Sequence, residues 1–173
     1  QTVVSVKEDL CREDFNAIPF INADGYHSKT IAYSIWHIFR IEDIVAHTVI
    51  TEDEQVFFTG NYQVRINSPI ITTGNELVKQ QIADFSKQLN LEELYSYIFE
   101  VRESTEKILE RFSYDELKWK IPDERKGYLK SLNVVNCDEK AIWLIDYWCS
   151  KDIRGLIQMP FSRHWIMHTE ACL

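Results

Sequence analysis

NLEELYSYIFEVRESTEKILERF, residues 90–112, places apolar or small side chains at alternating spacings of three and four residues. Such spacing forms one stripe along a helix and is typical of the seams in antiparallel helical bundles. Asn90 fits the N-cap position, and Glu93 follows it at the spacing of a capping box. The stretch therefore predicts a long amphipathic helix that packs in a bundle. Its stripe consists of Leu91, Leu94, Ile98, Val101, Thr105, Ile108 and Phe112.

Five further segments are predicted to be helical from their apolar periodicity or their capping signals. The longest contains neither Gly nor Pro, and Ser28 is its predicted N-cap. The last contains Pro160, which a helix tolerates in its first turn, so this helix is predicted to begin at residue 159. The five segments are 28–50, 73–88, a short helix from Ser113 that stops before Pro122, 138–149 and 159–172. Capping-box spacing occurs from Thr73 to Glu76 and again at Ser113.

The segment 51–72 contains two short strand-like runs without a partner strand, so we predict a long connection there. The chain has 5 Gly and 4 Pro, too few for the many tight turns of a sandwich or barrel. We therefore predict an all-α bundle with extra short helices and one long connection. The first helix is expected to be short and to end near Cys11. The length of 173 residues predicts a single domain over residues 1–173.

Composition and charge argue against several classes of partner. The 19 Lys and Arg face 27 Asp and Glu, and the net charge of −8 disfavours binding to nucleic acid or to an anionic membrane. The sequence contains no run of about 18 apolar residues, so no membrane span is predicted. The first ten residues do not resemble a signal peptide, and the 4 cysteines form no C-x-x-C pair. We therefore expect reduced thiols and a cytoplasmic location.

The pair His164 and His168 is the strongest local indication of chemistry. On a helical wheel both lie on the apolar face of the last helix, together with Phe161. Imidazoles four residues apart lie about 6 Å apart along the helix axis and can bind one metal ion. Two hydrogen-bonded core histidines are the alternative interpretation. No glutamate follows His164 in the H-E-x-x-H manner, so a zincin-type protease is not supported.

A third ligand has to come from another helix, and His37 is the best candidate. It lies at the border of the apolar stripe of helix 28–50, where the alternative is a histidine bonded to a neighbouring group. His47 shares the opposite face with Arg40 and Asp43 and is predicted to face solvent. His27 precedes the helix, so neither His27 nor His47 is predicted to be a ligand.

Three other side chains occupy unexpected positions. Glu42 lies inside the apolar stripe, where it could orient a ligand or act as a base; an ion pair with Arg102 is the alternative. Cys172 could be a fourth ligand, although a small packing thiol is favoured. Trp36 lies on the polar side of its helix, which suggests contact with another segment or another subunit.

The stretches Ser34–Asp43 and Met159–His168 resemble the second-helix and last-helix motifs of the DinB/YfiT-like superfamily. The resemblance implies a four-helix bundle that holds one divalent metal ion through His37, His164 and His168. Relatives of this kind include thiol-dependent transferases and isomerases. The resemblance therefore implies a small-molecule substrate and a low-molecular-weight thiol as a candidate partner, and a homodimer is a further expectation. The long 51–72 connection and the added helices depart from the common pattern.

The resulting functional prediction is a metal-dependent enzyme, a thiol-dependent transferase or a hydrolase. Three histidines leave coordination positions of an ion open, as catalytic sites do. Zinc or nickel is the expected ion, with iron or manganese also compatible. The alternative is a non-catalytic bundle that binds a metal or another ligand. Because free imidazole has a pKa of about 6.5, the ion is expected to be largely lost at pH 5.

Overall fold

The helix predicted from residues 90–112 is present in a computed structural model of the chain, which describes residues 7–8, 10–18 and 28–171. Within these residues the fold is all-α without a β-strand, and the predicted helical bundle is confirmed. None of the helices described combines the length and apolar character needed to cross a membrane. In chain order the α-helices are α1 (Arg12–Asn16), α2 (Ile31–Asp43), α3 (Val56–Thr59), α4 (Tyr62–Ile66), α5 (Gln80–Gln88), α6 (Leu91–Leu109), α7 (Arg125–Ser131), α8 (Glu139–Cys149), α9 (Ile153–Gln158) and α10 (His164–Glu170). Two π-helical stretches, Ile44–Thr51 and Met159–Arg163, continue α2 and join α9 to α10, and Glu116–Lys118 forms a 3₁₀ turn.

Helix α6 forms as its sequence predicts. The side-chain oxygen of Asn90 accepts hydrogen bonds from the backbone N–H groups of Glu92 and Glu93, at 3.1 and 3.3 Å. The five central residues of the stripe are buried, whereas Leu91 and Phe112 at its ends are half-buried. The predicted capping box at Ser113 is also present and precedes the 3₁₀ turn, and helix 138–149 is confirmed as α8.

Helix α2 is buried on all of its faces, which the sequence did not predict. Thr30, not Ser28, caps it, and the Thr30 hydroxyl oxygen accepts a hydrogen bond from the Tyr33 N–H at 3.1 Å. Every residue from Ala32 to Asp43 is buried, because α5, α6 and α10 pack around the helix. The prediction that Arg40 and Asp43 face solvent is therefore wrong.

The carboxylate of Asp43 joins α2 to the segment that follows it. It accepts hydrogen bonds from the backbone N–H groups of Val56 and Phe57 and from the Tyr97 hydroxyl, each at 2.9 Å. Arg40 lies 3.5 Å from the same carboxylate. Burial raises the pKa of Asp43, and the positive charge of Arg40 partly offsets that shift. The buried charge therefore has partners on three sides.

The segment 51–72 is more ordered than a plain connection. It contains α3 and α4, and the positive φ angles of Asn61 and Asn67, 53° and 60°, bracket α4. Asparagine adopts this left-handed conformation more readily than most residues, which allows two short helices to follow one another. Arg40 also donates two hydrogen bonds to the carbonyl of Ile71, at 3.0 and 2.8 Å. The segment is therefore held against α2 at both of its ends.

The helix predicted at 73–88 begins later, at Gln80. Gly74 has a φ of 77°, and a Cβ there would lie 2.9 Å from the Trp36 ring. Residue 74 lies close against α2, and its positive φ is incompatible with helical geometry. A helix therefore cannot start at Thr73. The Thr72 hydroxyl bonds to Glu76 instead.

The helical segment that contains α10 begins with α9, earlier than the predicted residue 159. Asp152 caps α9 by accepting a hydrogen bond from the Gly155 N–H at 2.8 Å, and the helical path continues to the end of α10. Pro160 therefore lies inside a helical segment, in its π-helical stretch. The wider turn accommodates a ring that would clash with the carbonyl four residues earlier in an α-helix. The Ser162 hydroxyl donates to the carbonyl of Gln158 at 2.7 Å and stabilises this turn.

We expect Asp43→Ala to destabilise the fold by about 3–5 kcal/mol, because it leaves Arg40 buried without its counter-charge. Urea denaturation measures the change in the free energy of unfolding. Glu103→Ala is the matched control, since its ion pair with Lys107 is exposed and its removal should leave the midpoint unchanged. Equal midpoints for the two variants would contradict the role assigned to Asp43.

Candidate metal centre

Three histidines from two distant parts of the chain meet in the structure. His37 lies in the middle of α2, and His164 and His168 lie one turn apart on α10. All three are buried, and one ligand nitrogen from each lies within 4.8 Å of the others. The Nε2 atoms of His37 and His164 are 3.2 Å apart. The structure thus brings together the three residues that the sequence singled out.

The orientation of His37 is fixed by the turn that precedes α5. Its Nδ1 lies 2.5 Å from the carbonyl oxygen of Thr73, and its ring stacks on Tyr33 with centroids 5.3 Å apart. A carbonyl oxygen only accepts, so Nδ1 carries the hydrogen and Nε2 keeps its lone pair. Metal-binding histidines are commonly oriented by such a bond from the other ring nitrogen. The sequence did not predict this contact, because Thr73 was assigned to a helix.

The arrangement fits a divalent cation. Nitrogens bound to one tetrahedral zinc ion at 2.0–2.1 Å lie about 3.3 Å from each other, close to the distance between the two Nε2 atoms. The Nδ1 atom of His164 is buried without a hydrogen-bond partner. A three-histidine cluster can therefore hold a metal ion, and the identity of that ion is left open by imidazole ligands.

Burial keeps the three imidazoles neutral. Desolvation lowers the pKa of His164 to about 4 and that of His168 to about 2. It also holds the pKa of His37 well below its ordinary value, and the neighbouring His168 and His164 lower it further. Neutral imidazole is the form that binds metal. The expectation that the ion is lost at pH 5 assumed the pKa of free imidazole, and burial lowers the pKa of all three histidines below that value.

A cavity of about 490 Å³ opens beside the three histidines. It reaches the surface, since its lining includes the exposed residues Val78, Lys79 and Trp143. Its aromatic lining residues are Tyr33, Trp143, Tyr147 and Trp148, and its lysines are Lys29 and Lys79. An ion held by the three histidines would adjoin a space large enough for a small molecule.

Glu42 does not line this cavity. Its side chain is fully buried on the side of α2 that faces α6, and its carboxylate lies 4.0 Å from the Arg102 guanidinium. Burial raises the pKa of Glu42 to about 7, partly offset by Thr105, Arg102 and Trp165. Thr105 and Trp165 face the carboxylate without forming a hydrogen bond to it. The structure therefore shows the ion-pair alternative and does not bring Glu42 to the histidines.

His47 is buried, so the prediction that it faces solvent is wrong. Its Nδ1 lies 2.7 Å from the Asp53 carboxylate and its Nε2 lies 3.0 Å from the Ser104 hydroxyl. It takes no part in the three-histidine cluster. His27 and Cys172 lie outside the described residues.

Trp36 is buried against Phe85 of α5, with ring centroids 4.8 Å apart. The position of Trp36 on its helix predicted contact with another segment or another subunit, and the structure shows contact with another segment. Cys11, Cys137 and Cys149 are free thiols. Residues 7–8 are helical and Leu10 and Cys11 are not, while the other residues of the predicted first helix lie outside the described part.

A comparison with the known protein families found no match, and a comparison with curated protein sequences found none either. The helical bundle with three clustered histidines is compatible with a DinB-like metal-binding bundle.

Metal-free protein should lose stability as the pH falls from 7.5 to 5. An unfolded histidine takes up a proton near pH 6.5, whereas His164 in the folded protein stays neutral down to about pH 4. The unfolded state then binds more protons than the folded state, so the free energy of unfolding becomes smaller as the pH falls. Urea denaturation should show this slope, and His164→Gln should reduce it by up to about 1.4 kcal/mol per pH unit. The same slope in both proteins would contradict the lowered pKa.

Proposed function

We propose that the chain is a metal-dependent enzyme whose ion is held by His37, His164 and His168. The observation that carries this proposal is the position of all three histidines on the lining of one cavity. Three protein ligands leave a tetrahedral ion with an open position, which is the property that separates catalytic from structural sites. A cavity beside that position gives a substrate access to it.

The proposed reaction is the transfer of a thiol to an electrophile, with hydrolysis as the second possibility. When bound, a divalent ion supplies Lewis acidity, which favours the deprotonated form of a thiol or of water at neutral pH. The chain itself contributes orientation and an apolar surface. The Thr73 carbonyl holds His37 in one tautomer, and the aromatic lining provides apolar surface on which a small molecule can pack.

The alternative function is a non-catalytic bundle that binds a metal or another ligand. In that case the ion would have a closed ligand shell and would serve stability alone. The cavity favours the enzyme over this alternative, because a purely structural ion needs no access from solvent. Zinc or nickel is the proposed ion, with iron or manganese as alternatives.

Metal analysis tests the ligand set. Protein purified without a nickel column should contain close to one divalent ion per chain, and His37→Ala, His164→Ala and His168→Ala should each lose most of it. His47→Gln is the matched control, since His47 is also buried but contacts Asp53 and Ser104. It should retain the ion although its melting temperature falls. Loss of the ion in the control, or its retention in all three alanine variants, would exclude the site.

Cobalt substitution tests whether the ion has an open position. Addition of 2-mercaptoethanol to the cobalt-substituted protein should change its visible absorption spectrum, because a thiolate can then bind where no protein ligand does. The same protein should conjugate a thiol to 1-chloro-2,4-dinitrobenzene faster than its metal-free form does. A spectrum that saturating thiol leaves unchanged indicates a closed shell and favours the non-catalytic alternative.

A further inference from the structure

Lys29 is a half-buried cation on the lining of the cavity, close to the histidines. Its Nζ lies 5.0 Å from the centroid of the Tyr33 ring, and that ring stacks on His37. Its charge is near enough to lower the pKa of His37 and of His168. Burial also lowers the pKa of Lys29 itself, because its ammonium group has lost part of its water. A partly desolvated cation therefore lies beside the proposed ion.

Lys29 has no carboxylate partner among the described residues, whereas some other lysines of this acidic chain do. Lys118 lies 2.8 Å from the carboxylate of Asp115, and Lys126 lies 2.8 Å from that of Asp146. In the part of the chain that the structure describes, Lys29 forms no ion pair of this kind. A half-buried ammonium group without a counter-charge gains more from an anion than an exposed one does.

Lys79 is a second cation on the cavity lining, and its backbone is strained. Its φ of 47° and ψ of −116° lie in a region that residues with a side chain rarely adopt. The strained residue immediately precedes α5, and its side chain is exposed. Non-glycine residues in such conformations are concentrated at functional sites.

Helix α8 supplies an apolar wall to the same cavity. Trp143, Tyr147 and Trp148 line it, and the rings of Trp143 and Tyr147 lie edge to face with centroids 5.7 Å apart. Trp143 is 50% exposed, a large fraction for tryptophan. Exposed aromatic side chains beside a cavity are typical of ligand sites, where their faces pack on flat apolar groups.

We infer that the cavity binds an aromatic carboxylate, whose ring packs on the α8 wall and whose carboxylate meets Lys29. As the substrate class of the enzyme, this inference rests on the proposed function. The bond from the ammonium group to the carboxylate is charge-assisted and partly shielded from water, so it contributes both affinity and orientation. Lys79 adds a weaker attraction at the surface, where solvent screens its charge.

The test uses 2-naphthoate as the probe and 2-naphthamide as its neutral counterpart, titrated calorimetrically into zinc-loaded and chelator-treated protein. We expect 2-naphthoate to bind about ten-fold more tightly than 2-naphthamide. Lys29→Gln should remove that preference, Lys29→Arg should keep most of it, and Lys79→Gln should reduce it two- to three-fold. Lys107→Gln, which changes an exposed lysine on α6, is the control and should leave both affinities unchanged.

The outcomes separate this inference from the proposed function. Equal affinities for the two probes, or a Lys29→Gln variant that behaves like Lys107→Gln, would overturn the inference while leaving the metal site intact. Binding of 2-naphthoate that requires zinc and not Lys29 would overturn it too, since the carboxylate would then bind the ion. Binding that depends on Lys29, in a protein that takes up no zinc when zinc is supplied, would support the ligand class and refute the metal-dependent enzyme.

Discussion

Helix α2 is surrounded by protein, so every polar side chain on it needs a partner from another segment. Asp43 accepts hydrogen bonds from two backbone N–H groups of α3, and Arg40 donates to the carbonyl of Ile71. His37 donates to the carbonyl of Thr73, two residues after Ile71 in the chain. The chain from α3 to α5 therefore wraps α2 in an order set by three buried polar groups. The same wrapping orients His37, so the fold and the candidate metal centre depend on one set of contacts.

Apolar periodicity and capping residues were sufficient to predict the helices whose stability is local or depends on one seam. Helix α6 has its predicted cap, and helices α6 and α8 have nearly their predicted ends. The same reasoning failed on the polar face of α2, because a helical wheel assumes that polar residues face solvent. It could not foresee that other elements cover that face. Gly74, whose φ is positive, was the one local signal that residues 73–79 form a turn.

The candidate site was predictable as far as residue types and spacing define it. The wheels and the family resemblance both selected His37, His164 and His168, and the structure brings these residues together. The tautomer of His37 and the lowered pKa values depend on burial by segments distant in sequence. Lys29 was not found for the same reason, since it lies at the start of a helix in sequence and at the cavity only in the fold. Glu42 was correctly placed among apolar residues, but on a face that meets α6.

The π-helical stretch Met159–Arg163 sets the direction in which the last helix presents its side chains. A π-helical turn holds about one residue more than an α-helical turn, and each residue of an α-helix turns the chain by about 100°. Rewinding the same five residues as α-helix would rotate α10 by roughly that angle. The histidine pair would survive intact in the sequence and yet point away from His37. In related chains, a one-residue gap in this stretch would remove the extra residue of the π-helical turn, so an H-x-x-x-H pair that follows a plain α-helix there would still point toward the third histidine.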